Sequence, residues 1–151
     1  MRTNRILLLA SVIVAACSGK PGSDAVISSQ KPDIFPDYQD VTIPRNIAPM
    51  NFMIDNEADA YYTTLSNGNE TAIVKGRKVC ISDKKWQRLT HGTDSGINIR
   101  IFTRNSGQWT ALDPFTISLS DDLIDRYISY RRIPQVGQYY HVLDMVQRDL
   151  T

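Results

Sequence analysis

A mainly β, antiparallel sandwich is the fold that this sequence predicts, and three observations predict it. From Ile47 onward the hydrophobic period is two: Ile97, Ile99 and Ile101 alternate with Asn98 and Arg100, and Phe115, Ile117 and Leu119 alternate with Thr116, Ser118 and Ser120. Strands with one buried and one wet face produce this alternation. Turn chemistry separates the alternating runs, at Asn67-Gly68-Asn69, Gly76, Gly92 to Gly96, Ser106-Gly107 and Asp113-Pro114. The 151 residues are 42% hydrophobic, enough for one domain with an ordinary core. Short strands with regular turns over roughly 75 residues fit the immunoglobulin or fibronectin type III class of β-sandwich.

The first element is a leader rather than a strand. Arg2 and Arg5 give a positive start, Ile6 to Ala16 are apolar or small, and Val14-Ala15-Ala16-Cys17 forms a lipobox. A run of about 11 residues makes a helix roughly 17 Å long, against about 30 Å of hydrocarbon. It is too short to span, and it fits the apolar region of a secretory signal with small residues at the cleavage site. The sequence therefore predicts a signal peptide over residues 1–16 and lipidation of Cys17, with several acyl chains giving stable membrane attachment. Loss of the two leader arginines leaves 17 − 2 = 15 basic residues against 16 acidic ones, a charge near −1. That balance gives no electrostatic case for nucleic acid. With Cys17 acylated, Cys80 stands alone and no intramolecular disulfide is expected.

Residues 17–45 read as a proline-rich tether, with Pro21, Pro32, Pro36 and Pro44 enforcing an extended, non-helical chain. Ile34, Phe35 and Tyr38 suggest that its distal half docks on the domain. Residues 46–121 read as the sandwich. Phe52 and Ile54 share a face, and Tyr61, Thr63 and Leu65 alternate with Tyr62 and Thr64. One interruption is helical: Ser82 to Leu89 begins on a capping residue and places Trp86 and Leu89 at i, i+3 to anchor on the core. Residues 122–151 read as an extension in which Tyr127 to Tyr130 and Tyr139 to Leu143 form strands around a turn at Pro134 and Gly137.

Catalytic signatures are missing. There is no His-Glu-x-x-His, Cys-x-x-Cys or Gly-x-Ser-x-Gly, and His91 and His141 have no neighbour at metal spacing. Cys80, between Val79 and Ile81, reads as a small buried or half-buried strand residue rather than a nucleophile. Asp121, Asp122 and Asp125 lack the further ligands of a calcium loop. They read as a turn and helix-capping cluster, the alternative being the paired carboxylates of a carbohydrate-active enzyme. Lys75, Arg77, Lys78, Lys84, Lys85 and Arg88 read as a solvated face, the alternative being a site for an anionic glycan or lipid headgroup. Trp109 and the tyrosines read as core, the alternative being sugar stacking. The expectation is accordingly no catalytic residue, no cofactor and no metal site.

Several stretches together resemble a known family: Pro32-Asp33-Ile34-Phe35-Pro36-Asp37-Tyr38, Val41-Thr42-Ile43-Pro44-Arg45-Asn46-Ile47-Ala48-Pro49-Met50-Asn51-Phe52, Trp86, Tyr127-Ile128-Ser129-Tyr130-Arg131 and Gln147-Arg148-Asp149-Leu150. They resemble the N-terminal region of TolB-like β-propeller lipoproteins of Gram-negative envelopes, also described as PD40-domain or cytochrome c biosynthesis-like proteins. Arg45 precedes the asparagine here, and Met50 stands where leucine is common. Relatives of that kind continue into a Cys-x-x-Cys-His segment and a propeller. This sequence ends at Thr151, so no function attached to those parts carries over. The resemblance implies that Tyr127 to Leu150 is a lead-in to a propeller.

The expected function is that of a lipid-anchored envelope protein with a non-catalytic sandwich that binds or assembles, its partners being the membrane and an envelope protein or glycan. The alternatives are a truncated propeller lipoprotein without independent activity and a carbohydrate-active envelope protein. The expected location is the outer membrane facing the periplasm, since Ser18-Gly19-Lys20-Pro21 lacks an acidic export run, with the cell surface as the alternative.

Overall fold

The computed structural model describes residues 19–91, 96–132 and 144–150. Cys17, His141, the Pro134–Gly137 turn and the expected strand at Tyr139 to Leu143 lie outside the described residues. In chain order the elements are β1 (Val26–Ile27), β2 (Ile34–Phe35), β3 (Thr42–Pro44), β4 (Phe52–Ile54), β5 (Ala60–Ser66), β6 (Thr71–Lys75), β7 (Lys78–Val79) and α1 (Asp83–Thr90). Then come β8 (Ile97–Asn105), β9 (Gln108–Ala111), β10 (Phe115–Ser120), β11 (Tyr127–Arg132) and β12 (Asp144–Asp149).

The fold is the expected mainly β architecture, two facing sheets with one short helix. In the seven-stranded sheet β8 is central. All of β5 pairs along one side of it, and β6 pairs with β5 beyond. The other side of β8 is shared: β9 takes Phe102 to Asn105 and β10 takes Ile97 to Ile99. All these pairings are antiparallel. Two parallel strands complete the sheet at its split edge, β1 on β9 and β3 on β10. The second sheet is the antiparallel set β2-β4-β7.

The core lies between the sheets and is closed by α1. Ile97, Ile99 and Ile101 of β8 and Leu65 of β5 face Ile34, Phe52, Ile54 and Val79 of the small sheet, and Trp86 and Leu89 are buried among them. The alternation in the sequence is thus the alternation of one buried face. Two turns show why their residues are needed. Ser106 and Gly107 both have positive φ (49° and 84°), the two-residue geometry that matches the twist of the β8–β9 hairpin. Gly96 has φ 74°, and a Cβ there would lie 2.7 Å from the Ile117 carbonyl oxygen, so β10 approaches as closely as only glycine permits.

The boundary drawn at 45/46 does not separate tether from domain. β1, β2 and β3 all lie within residues 17–45, and Ile34 and Ile43 belong to the core. Proline excludes helix from this segment, yet it is compatible with edge strands and strand ends, where the missing N–H removes no ladder bond. Pro36 follows β2 and Pro44 ends β3. Of the residues expected to dock, Ile34 is buried and Tyr38 packs on the core, whereas Phe35 is 68% exposed. Period two is the reason: neighbours on a strand point to opposite faces.

The same rule corrects Cys80. It is exposed, not buried or half-buried, because Val79 and Ile81 on either side both turn inward. The helix corrects one detail too. Ser82 occupies the N-cap with extended backbone but makes no side-chain capping bond; its carbonyl oxygen accepts the N–H groups of Lys85 and Trp86.

Candidate functional site

The segment Pro44 to Asn51 is where the parts of the molecule meet. Arg45 Nη1 donates to the Thr90 carbonyl at the end of α1 (3.1 Å), and its Nε donates to Asp121 Oδ1 (2.8 Å). Asn46 exchanges two bonds with Ile124, its Nδ2 donating to the Ile124 carbonyl and its Oδ1 accepting the Ile124 N–H. The Ile47 carbonyl accepts Trp86 Nε1 at 2.8 Å, and the Ala48 N–H donates to the Leu150 carbonyl at 2.7 Å. Asn51 Oδ1 accepts the Ile81 N–H. Five residue positions thus tie the helix, the acidic turn and the base of β12 to one loop.

A second polar hub was visible in the sequence only as turn chemistry. Asn67 is buried, and its Oδ1 accepts the N–H groups of Asn69 and Glu70, forming the β5–β6 turn. Its Nδ2 donates to the carbonyls of Arg88 and Leu89. Helix ends leave their last carbonyls unsatisfied, so this side chain supplies partners that α1 lacks. Together Asn67 and Arg45 cover three consecutive carbonyls, residues 88 to 90.

From this frame β11 and β12 project as a two-stranded ribbon, held by full antiparallel register from Tyr127↔Asp149 to Arg132↔Asp144. Its partner strand is thus Asp144–Asp149. One face carries Tyr127, Ser129 and Arg131 against Asp149, Gln147 and Met145; the other carries Ile128 and Tyr130 against Arg148 and Val146. Every described side chain of β11 is exposed, and Met145 of β12 is 73% exposed. At the ribbon base, Arg126 Nε and Nη2 both reach Asp149 Oδ2 (3.1 and 3.0 Å), and the guanidinium lies 5.2 Å from the Tyr127 ring centroid. The hydrogen bond to Asp149 and then its charge hold the Arg126 pKa above its ordinary value. Tyrosine and arginine are the residue types enriched at protein interfaces, and here they stand in solvent.

The other candidates are placed as follows. Asp121 pairs with Arg45, and Asp122 accepts the Ser120 hydroxyl and donates its N–H back to Ser120 Oγ. They form a turn, as expected, but no helix follows for them to cap: β11 begins at Tyr127. Among the described residues no group of three or more His, Cys, Asp and Glu is placed to hold a metal ion. His91 is exposed at the end of α1, where its Nδ1 lies 2.7 Å from the Gln87 carbonyl oxygen. The basic run is exposed throughout but is not one site. Lys85 and Arg88 border a cleft of about 70 Å³ with Glu70, Thr71 and Leu89. Arg77, at the far end of β6, is engaged by the Ile54 carbonyl and Asp55. Trp109 is buried, though on the outer face of the large sheet rather than in the core. It meets Tyr62 edge-on at 6.4 Å, and Arg104 lies over its ring at 5.3 Å. That ring is covered, not open for stacking on a sugar.

No family model matches the chain, and neither a curated protein nor a solved structure does.

Proposed function

We propose that this chain is a lipid-anchored envelope protein whose sandwich is a non-catalytic module for binding or assembly. The lipobox Val14-Ala15-Ala16-Cys17 carries this reading. What supports its second half is the ribbon, an exposed Tyr- and Arg-bearing surface on a body whose Lys85–Arg88 cleft, at about 70 Å³, is small beside ligand pockets of roughly 300 Å³ or more. Only eight residues, 18–25, separate Cys17 from β1, nine Cα–Cα steps with a reach of about 30 Å at full extension. An acylated Cys17 therefore holds the sandwich close to the bilayer, and partners on the same membrane are favoured by local concentration.

Intact mass of the protein from envelope fractions tests the anchor. The expected species begins at Cys17 and carries diacylglycerol plus an amide-linked acyl chain, and Cys17→Ala accumulates as unlipidated precursor. Recovery of the wild-type chain as a soluble, unacylated protein sinks the proposal. The kinship with TolB-like propeller lipoproteins is proposed on the quoted stretches; its support is that the Val41 to Phe52 stretch holds the base of the ribbon that carries the Tyr127 to Arg131 and Gln147 to Leu150 stretches. Sequence downstream of residue 151 in the genome tests it, since absence of propeller-coding sequence in any frame counts against it.

A further inference from the structure

Among the described residues the ribbon has an unpaired edge whose chemistry is readable. The Leu150 N–H donates to the Arg126 carbonyl at 2.8 Å, which sets the phase of the β11–β12 ladder. Backbone groups of Val146 and Arg148 therefore point toward β11, and those of Met145 and Gln147 point away. Among the described residues no strand pairs with that outer side. Unpaired N–H and C=O groups along an edge are a template for another chain, and Asp144–Asp149 contains no proline to interrupt it; its charged residues, at positions 144, 148 and 149, restrict which strand can pair there.

We propose that this edge pairs with the same edge of a second copy of this chain, across a two-fold axis normal to the ribbon, to give the sheet β11-β12-β12-β11. The charges and the phase select both occupant and register. With Met145 opposite Gln147 of the second copy, the two outward-pointing residues exchange N–H···O bonds. Val146 then meets Val146 at the axis, in the closely spaced pair type. Position 144, an aspartate, falls opposite Arg148 of the second copy, and this happens twice by symmetry. Tyr130, paired with Val146 within each chain, extends the central row on the same face into an apolar stripe of four side chains. A shift of two residues places Val146 opposite Arg148 or opposite Asp144 and loses the charge match. The strand is thus self-complementary in one register, which favours a second copy over a foreign strand. Arg148 and the half-exposed Tyr130 supply the interface chemistry that the monomer leaves in water.

The test uses the full chain carrying Cys17→Ser and Cys80→Ser, which removes both native thiols. Val146→Cys is expected to give a covalent dimer under mild oxidation, because the two sulfurs meet at the axis. Arg131→Cys, on the far edge of the ribbon, is expected to give none. Gln147→Pro removes an outward N–H without touching the ladder to β11, and should sediment as a monomer where the parent is a dimer. Arg148→Asp should do the same, and the double variant Asp144→Arg/Arg148→Asp should restore the dimer. A parent chain that sediments as a monomer up to its solubility limit overturns the proposal, as does cross-linking through R131C but not V146C. Acylation of Cys17 in the wild-type chain is a separate readout, so failure of the anchor and failure of this interface are distinguishable.

Discussion

β8 and β11 are both alternating strands, and only one of them is buried. In β8 the odd residues Ile97, Ile99 and Ile101 are fully enclosed between two sheets. In β11 the alternating pairs Tyr127, Ser129 and Ile128, Tyr130 are exposed on both faces, and among the described residues the strand has a single neighbour. Period two identifies a strand; it does not say how many layers will cover it. Coverage comes from topology: β8 is flanked along its whole length and faced by the small sheet, whereas among the described residues the ribbon is tied to the body at its base, through Asn46–Ile124 and Ala48–Leu150. A two-stranded ribbon alone is marginally stable in water, so the body and the ribbon should respond very differently to the same mutation.

The largest difference is expected from truncating matched isoleucines. Ile99→Ala should cost about 2–5 kcal/mol of global stability, through lost transfer energy and a residual cavity. Ile128→Ala, at 45% exposure, should cost less than about 1 kcal/mol in the monomer. Urea denaturation of the two variants measures both. Amide exchange sharpens the contrast: β8 protection should fall only with global unfolding, while β11 and β12 exchange through local opening. Equal losses for the two variants would erase the distinction between body and ribbon.

The hubs set the next scale. Asn67→Ala removes the side-chain partners of the Arg88 and Leu89 carbonyls and of two turn N–H groups; only the bond to Leu89 is fully buried, so at about 1–3 kcal/mol for a buried group left unsatisfied, with the half-buried groups reached by water, the expected loss is about 3 kcal/mol. Asn67→Asp keeps the acceptor but loses both donors and sets a carboxylate against two carbonyl oxygens. It should therefore be at least as destabilising as the alanine, and circular dichroism melts of the two variants check the order. If Asn67→Ala melted like the parent, the end of α1 would owe nothing to the β5–β6 turn.

Much of the body was legible in the sequence, because its information is local. Ile97 to Ile101, Phe115 to Leu119 and the Ser106-Gly107 turn announce themselves within a few residues, and Trp86 with Leu89 announces an anchored helix. Three things were not legible. β1, β2 and β3 are two or three residues long and two of them pair in parallel, so no window is wide enough to show a period. The double role of Asn67 depends on carbonyls 21 and 22 residues away. The exposure of Phe35 and Cys80 depended on phase: Phe35 follows buried Ile34 within β2, Cys80 follows buried Val79 just beyond β7, and alternation turns each outward. For the candidate site, the ribbon's strands show in the sequence as alternation, whereas their exposure is a property of what the described body leaves uncovered.

The smallest effect concerns a flaw inside the body rather than the ribbon. Thr63 is fully buried on β5, and its hydroxyl oxygen has no hydrogen-bond partner among the described residues. Its cross-strand neighbours are Ile101 and Val74, both apolar. Valine has nearly the same shape and no polar atom, so Thr63→Val removes the desolvation cost without opening a cavity. The expected gain is about 1 kcal/mol, read as a higher urea midpoint at unchanged slope. Thr64→Val, one residue on and half-buried on the opposite face, should change stability by less than about 0.5 kcal/mol. A loss on Thr63→Val would mean that the hydroxyl is satisfied in solution, and that this stretch of the body is wetter than its burial implies.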